Sequence, residues 1–134
     1  MIDKKLALLI ALVNSKSDME ILAYLINNCG PELPTIKTDS NRIPGCISKL
    51  YLSSTIRDGR LYFEVTGESK VIQGMGQLLC HLFSDQTPSE INAFQFSQLS
   101  RIKYSEWLTN SRQNGFKQLF IRIKEIAVEH LDKD

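Results

Sequence analysis

Leu50-Tyr51-Leu52-Ser53-Ser54-Thr55-Ile56-Arg57-Asp58-Gly59-Arg60-Leu61-Tyr62-Phe63-Glu64-Val65 is the stretch whose reading decides the fold. Leu50 to Ser53 and Leu61 to Val65 are rich in residues that suit a pleated, half-buried surface. In the second run Leu61, Phe63 and Val65 alternate with Tyr62 and Glu64, so one face of a strand is apolar. Asp58-Gly59 tolerates the positive φ angles that a two-residue hairpin turn demands. A hairpin over 49–66 is therefore predicted.

Downstream of the hairpin the apolar period changes. Val71, Met75, Leu78, Leu79 and Leu82 recur at helical spacing after Gly67 and Ser69, which predicts a core helix over 69–84. Thr87-Pro88-Ser89-Glu90 is a capping box with Pro88 at the first helical position, where its missing N–H costs nothing. Phe116, Leu119, Phe120, Ile123, Ile126 and Ala127 form the apolar stripe of a long terminal helix, for which Thr109 is the expected N-cap. Upstream, Ser17-Asp18-Met19-Glu20 is a second capping box, and Gly30-Pro31 marks a helix stop. Two N-terminal helices follow, over 3–13 and 18–29. The segment from Pro31 to Pro44, carrying Pro34 and Asn41, is expected to be extended with one short strand at most. Strands and helices thus come in blocks, giving an α+β fold: a small antiparallel sheet of about three strands packed with N-terminal and C-terminal helices.

With 134 residues the chain fits one domain. Sixteen Lys and Arg against fifteen Asp and Glu leave a net charge of +1. No run of five like charges occurs, so no nucleic-acid footprint is visible. The longest apolar run, Leu6 to Val13, falls far short of the roughly 20 residues a membrane span needs. Lys4 and Lys5 ahead of that run share a feature with secretory signals, but an amphiphilic first helix accounts for the same residues. Cys29, Cys46 and Cys80 are an odd count without zinc-site spacing, which favours a reducing, cytoplasmic setting and no metal centre.

Cys46 is the residue best placed for chemistry. It stands in Arg42-Ile43-Pro44-Gly45-Cys46-Ile47-Ser48, where Pro44 stiffens the approach and Gly45 lets the backbone bend, so the thiol is presented at a loop tip. Arg42 folded back on the sulfur would favour the nucleophilic thiolate; an inert, packed thiol is the competing reading. Cys29 and Cys80 fall on predicted helices and are read as packing residues. A cysteine hydrolase would need a base within reach of Cys46, and His81 is the one candidate. Arg112-Gln113-Asn114-Gly115 opens the terminal helix, where a glycine costs about 1 kcal/mol against alanine. Close approach of another part of the chain is the expected compensation. Arg112 either contacts a partner or an anionic sulfur species, or simply packs its stem.

The order of these pieces resembles the SufE/CsdE family of cysteine desulfuration proteins, which often have R-x-x-G-C-x-S-x-V-W around the acceptor cysteine. Arg42 through Tyr51 stands in that place. Phe63 through Gly74 is similar to the family's F-x-A-D-S-D-A-x-I-V-x-G, and Leu108 through Gly115 to its L-S-P-x-R-x-N-G, so the likeness spans about 20–128. Tyr51 replaces the tryptophan, Thr66-Gly67-Glu68-Ser69 the acidic D-S-D-A, and Thr109-Asn110 the Ser-Pro. Cys46, Ser48, Arg112, Asn114 and Gly115 match.

The resemblance implies a SufE/IscU-like fold and a persulfide carrier rather than an enzyme. Cys46 would take sulfane sulfur from a pyridoxal-phosphate-dependent cysteine desulfurase of the SufS/CsdA type and relay it to an iron–sulfur assembly scaffold such as SufBCD. Arg42, Gly45, Ser48, Lys49, Arg112, Asn114 and Gly115 would support the thiol or meet the partner. The carrier itself would bind no pyridoxal phosphate, and neither nucleic acid nor membrane is an expected partner. An IscU-type scaffold is the alternative, and it would need Cys29 and Cys80 to converge on Cys46. Protection of a persulfide between partners predicts a resting Cys46 turned inward beneath the hairpin, near some of Leu50, Leu61 and Phe63.

Overall fold

The computed structural model describes residues 2–131. Two helices lead, α1 (Ile2–Asn14) and α2 (Asp18–Asn27), followed by the strands β1 (Leu50–Arg57) and β2 (Arg60–Gly67). The helices α3 (Lys70–Phe83), α4 (Pro88–Ala93) and α5 (Asn110–Leu131) complete the α+β architecture. Both capping boxes form. Ser17 accepts from the Glu20 amide while Glu20 accepts from the Ser17 amide, and Thr87 and Glu90 do the same at the start of α4.

The hairpin pairs Leu50 with Gly67 and continues to Arg57 opposite Arg60. Asp58 and Gly59 sit at φ 52° and 75°, both left-handed as a two-residue hairpin turn requires. Leu61, Phe63 and Val65 turn to the core, and Leu50 and Leu52 join them from β1. The sheet has two strands, not the expected three. Between α2 and β1 the chain makes two short 3-10 turns, Pro34–Ile36 and Asp39–Asn41, and adds one bridge to β1, Arg42 opposite Tyr51. Ile43 then donates to the Leu50 carbonyl at 2.8 Å. Gly45 then turns to φ 78°, out of the extended range, so the incipient third strand ends there.

α3 lies against β2 at short range, because Gly76 faces Val65 where a Cβ would come within 2.9 Å of a valine methyl. At Gly74 a Cβ would overlap the Leu25 carbonyl, so α2 and α3 are also in close backbone contact. Between them the buried Gln73 side chain joins three parts of the chain. Its oxygen accepts from the Thr66 hydroxyl and the Gly67 amide, both at 3.2 Å, and its nitrogen donates to the carbonyls of Cys29 and Gly30 at 2.8 and 2.9 Å. That node fixes the start of the long connection to Cys46. α2 stops at Asn27 and is capped by Asn28, so Cys29 lies beyond the helix rather than on its last turn. α5 closes the core through Phe116, Leu119, Phe120 and Ile123, with Phe83, Phe94 and Phe96 stacked around Phe120.

Candidate functional site

Cys46 sits on a loop whose base is pinned and whose tip is free of ladder pairing. The Ile43–Leu50 bond closes the base, and both side chains are fully buried. At the tip Gly45 adopts φ 78°, a left-handed conformation that glycine reaches without a Cβ clash. This bend directs the chain back toward α5. There the Asn114 amide nitrogen donates to the Gly45 carbonyl at 2.7 Å, and the Gly45 Cα faces the Gln118 side chain.

The Cys46 thiol is half-buried and turned inward, but against α5 rather than under the hairpin. A Cβ built on Gly115 would stand 3.6 Å from the Cys46 Sγ, an ordinary contact distance, so the glycine leaves room beside the sulfur. The close approach expected at Gly115 is thus made by the thiol. A hollow of about 320 Å3 opens next to it. Cys46, Ile47 and Ser48 form one wall, Thr109, Ser111, Arg112 and Gly115 the other, and Ile72 contributes from α3. No residue of either strand lines it. The reason is the early turn at Pro44-Gly45, which carries the chain past the sheet edge to the helix start.

Burial pushes the Cys46 thiol above its ordinary pKa, and the Arg42 guanidinium partly opposes that rise. Arg42 and Lys49 are exposed on either side of the loop, Ser48 is half-buried, and Arg112 is half-buried on the rim of the hollow. Thr109 caps α5 by accepting from the Arg112 amide at 3.4 Å. The structure therefore brings Gly45, Cys46, Ser48, Arg112, Asn114 and Gly115 together, with Arg42 near enough for its charge to act on the thiol.

Ile47, Gln118, Ser111 and Ile72 belong to the same region and were not foreseen. Ile47 is 84% exposed, the most exposed large apolar side chain among the described residues. Nothing in its flanking sequence distinguishes it from a core residue. Ser111 and Gln118 were in principle legible, since 111, 115 and 118 share one face of a helix.

The other cysteines are placed differently. Cys80 is sealed in the core, where burial and the Glu64 charge raise its thiol pKa far above the ordinary value. Cys29 points its thiol at the Gly30 carbonyl, 3.5 Å away. Among the described residues no three Cys, His, Asp or Glu side chains converge as a ligand set, so the geometry does not favour an IscU-type scaffold. His81 is exposed and lines a separate hollow with Lys5, Leu8 and Leu78 between α1 and α3, which leaves the hydrolase reading without its base. No helix of the described residues is long and apolar enough to cross a membrane.

Known proteins resemble this chain in sequence and in fold. An uncharacterized SufE-like protein of Synechocystis is 26% identical over 115 residues, covering 84% of this chain and 71% of that protein. One from Rhizobium etli is 30% identical over 103 residues, covering 72% of this chain and 70% of its own length. A solution structure of a hypothetical protein from Thermus thermophilus shares the fold with a TM-score of 0.76, at 14% identity and 96% coverage of both chains. Residues 9–127 match the SufE family, described as an Fe-S metabolism associated domain, and the chain belongs to that family.

Proposed function

We propose that this protein is the sulfur acceptor and activator of a pyridoxal-phosphate-dependent cysteine desulfurase, with Cys46 as the acceptor. The observation that carries the reading is a thiol facing a hollow with space to spare beside the sulfur. An added sulfur is comparable in size to a water molecule, roughly 30 Å3, so the hollow of about 320 Å3 accommodates it. In the transfer, the Cys46 thiolate attacks the outer sulfur of a persulfide on the desulfurase. The bond between outer and inner sulfur breaks, the desulfurase cysteine leaves as a thiolate, and Cys46 carries the persulfide with no net oxidation or reduction. The same exchange in reverse sense hands the sulfur to a downstream acceptor such as a SufBCD-type scaffold. Unloading the desulfurase frees it for another turnover, which is how a carrier without its own cofactor activates it.

The residues around the thiol have separable tasks. Arg42 offsets part of the burial that disfavours the thiolate. Arg112, with the Ser48 and Ser111 hydroxyls, gives the hollow a polar wall suited to an anionic outer sulfur. Lys49 and the exposed Ile47 flank the loop and meet the partner. A cytoplasmic setting suits three free cysteines and a labile persulfide.

The test is mass spectrometry after mixing the protein with a desulfurase and free cysteine. A gain of ~32 Da, one sulfur atom, is expected on the peptide containing Cys46. A gain confined to the Cys29 peptide, or none with any SufS/CsdA-type desulfurase, would overturn the assignment.

A further inference from the structure

Very few hydrogen bonds hold the Cys46 loop in its inward setting. Among the described residues, Asn114 is the one side chain that hydrogen-bonds to the loop over 43–49, and it does so at the tip, 69 residues away in sequence. Two consecutive residues of α5 meet two consecutive residues of the loop. Asn114 takes the Gly45 carbonyl, and Gly115 receives the Cys46 sulfur. The left-handed Gly45 is part of the same device, because its bend leaves the Gly45 carbonyl on the Asn114 amide. Asn114 is exposed, so the bond competes with water and with any donor a partner presents. A tie of this kind is strong enough to bias a loop and weak enough to be exchanged.

We propose that Asn114 is a positioning residue, the latch that holds Cys46 inward through the Gly45 carbonyl, and that breaking this one bond frees the thiol. The inference rests on Cys46 being the acceptor, yet the latch is measurable without any desulfurase. When it opens, Cys46 leaves the Gly115 contact and swings into solvent with Arg42 and Arg112 still at hand. The inward thiol reacts slowly because burial disfavours its thiolate; the outward thiol is solvated and reacts faster.

The experiment follows iodoacetamide labelling of the Cys46 peptide in the free protein from pH 6 to 10, with thermal melting of each variant as a check on folding. Asn114→Ala is expected to label roughly three- to tenfold faster at neutral pH, the effect of losing one modest hydrogen bond, with its pH–rate profile moved to lower pH. Asn114→Gln keeps an amide donor at an exposed position and restores slow labelling, whereas Lys117→Ala, one turn away on an exposed site, labels like the parent. Labelling of Asn114→Ala at the parent rate with an unmoved profile overturns the latch. A faster rate that merely tracks a lowered melting temperature across all three variants also overturns it. If the latch variants behave as expected but Cys46 gains no sulfur from any desulfurase, the relay reading fails while the latch stands.

Discussion

Burial and charge pull the Cys46 thiol in opposite directions, and burial is the larger effect. Arg42→Ala removes the opposing charge, so the pH at which Cys46 becomes alkylated should move further up. A pH–rate profile of peptide-resolved labelling checks this; a profile moving down would mean that Arg42 acts by shielding the thiol. Cys46→Ser should abolish sulfur uptake and desulfurase stimulation with little change in melting, since a half-buried loop residue is replaced by a near-isostere. Cys80→Ala should do the reverse, keeping uptake while costing about 1–2 kcal/mol for the lost sulfur and the cavity it leaves. The Cys80 cost also depends on pH. Its folded thiol holds the proton far more tightly than the unfolded one, so the folded state is fully favoured below the unfolded pKa of about 8.5 and loses stability as pH rises beyond it. The stability gap between parent and Cys80→Ala should therefore narrow above about pH 9, as urea titrations at a series of pH values would show.

At the scale of elements, Gly115 joins the helix to the chemistry. A glycine in the second turn of a 22-residue helix weakens it, and the sequence alone states the puzzle without the answer. The sulfur 3.6 Å from its absent Cβ supplies it. Because that spacing is an ordinary contact, Gly115→Ala should fold and gain up to about 1 kcal/mol of helix stability. The methyl would occupy the space beside Cys46, so persulfide yield should drop although melting rises. Calorimetry and the mass assay on one preparation separate the two effects; a fall in both would mean the methyl clashes. The hairpin, both capping boxes and the long helices were legible because each depends on neighbours in sequence: Asp58-Gly59 on its own φ angles, Ser17 on Glu20, the α5 stripe on its period. The third strand was not, because its fate turned on whether Arg42 and Ile43 found Tyr51 and Leu50, a pairing that the left-handed turn at Gly45 cuts to one bridge. The stretch after α4 also escaped assignment. Phe96, Leu99 and Ile102 are three apart, the period of the 3-10 helix that forms there, and a run too short to announce itself as an amphipathic α-helix. Within the site, Cys46 and its flanking glycine could be picked out locally, but its seat on α5 lies some seventy residues on, and periodicity carries no information at that range.

For the molecule as a whole, a net charge of +1 gives no strong overall field, so attraction to a partner must be local. Several cations elsewhere are engaged: Lys37 with Glu32, Arg60 with Asp85 and Glu90, Arg122 with Glu125 and Glu129. Arg42, Lys49 and Arg112 form no ion pair among the described residues, and all three lie around Cys46. Three uncommitted cations next to the exposed Ile47 make a surface with an apolar centre and a basic rim, the arrangement in which rim charges set association rate and the apolar contact sets residence time. Lys49 is the cleanest probe, being exposed and outside the lining of the hollow. Lys49→Glu should slow association with an acidic desulfurase surface by roughly tenfold at low salt. The defect should shrink near 1 M salt, where the screening length falls to about 3 Å. Ile47→Ala should instead speed dissociation at every salt concentration and leave association nearly untouched. Surface plasmon resonance across a salt series reads both rates. A Lys49→Glu defect that persists undiminished at high salt would assign the lysine to a direct contact, and an unchanged association rate at low salt would remove it from the docking surface altogether.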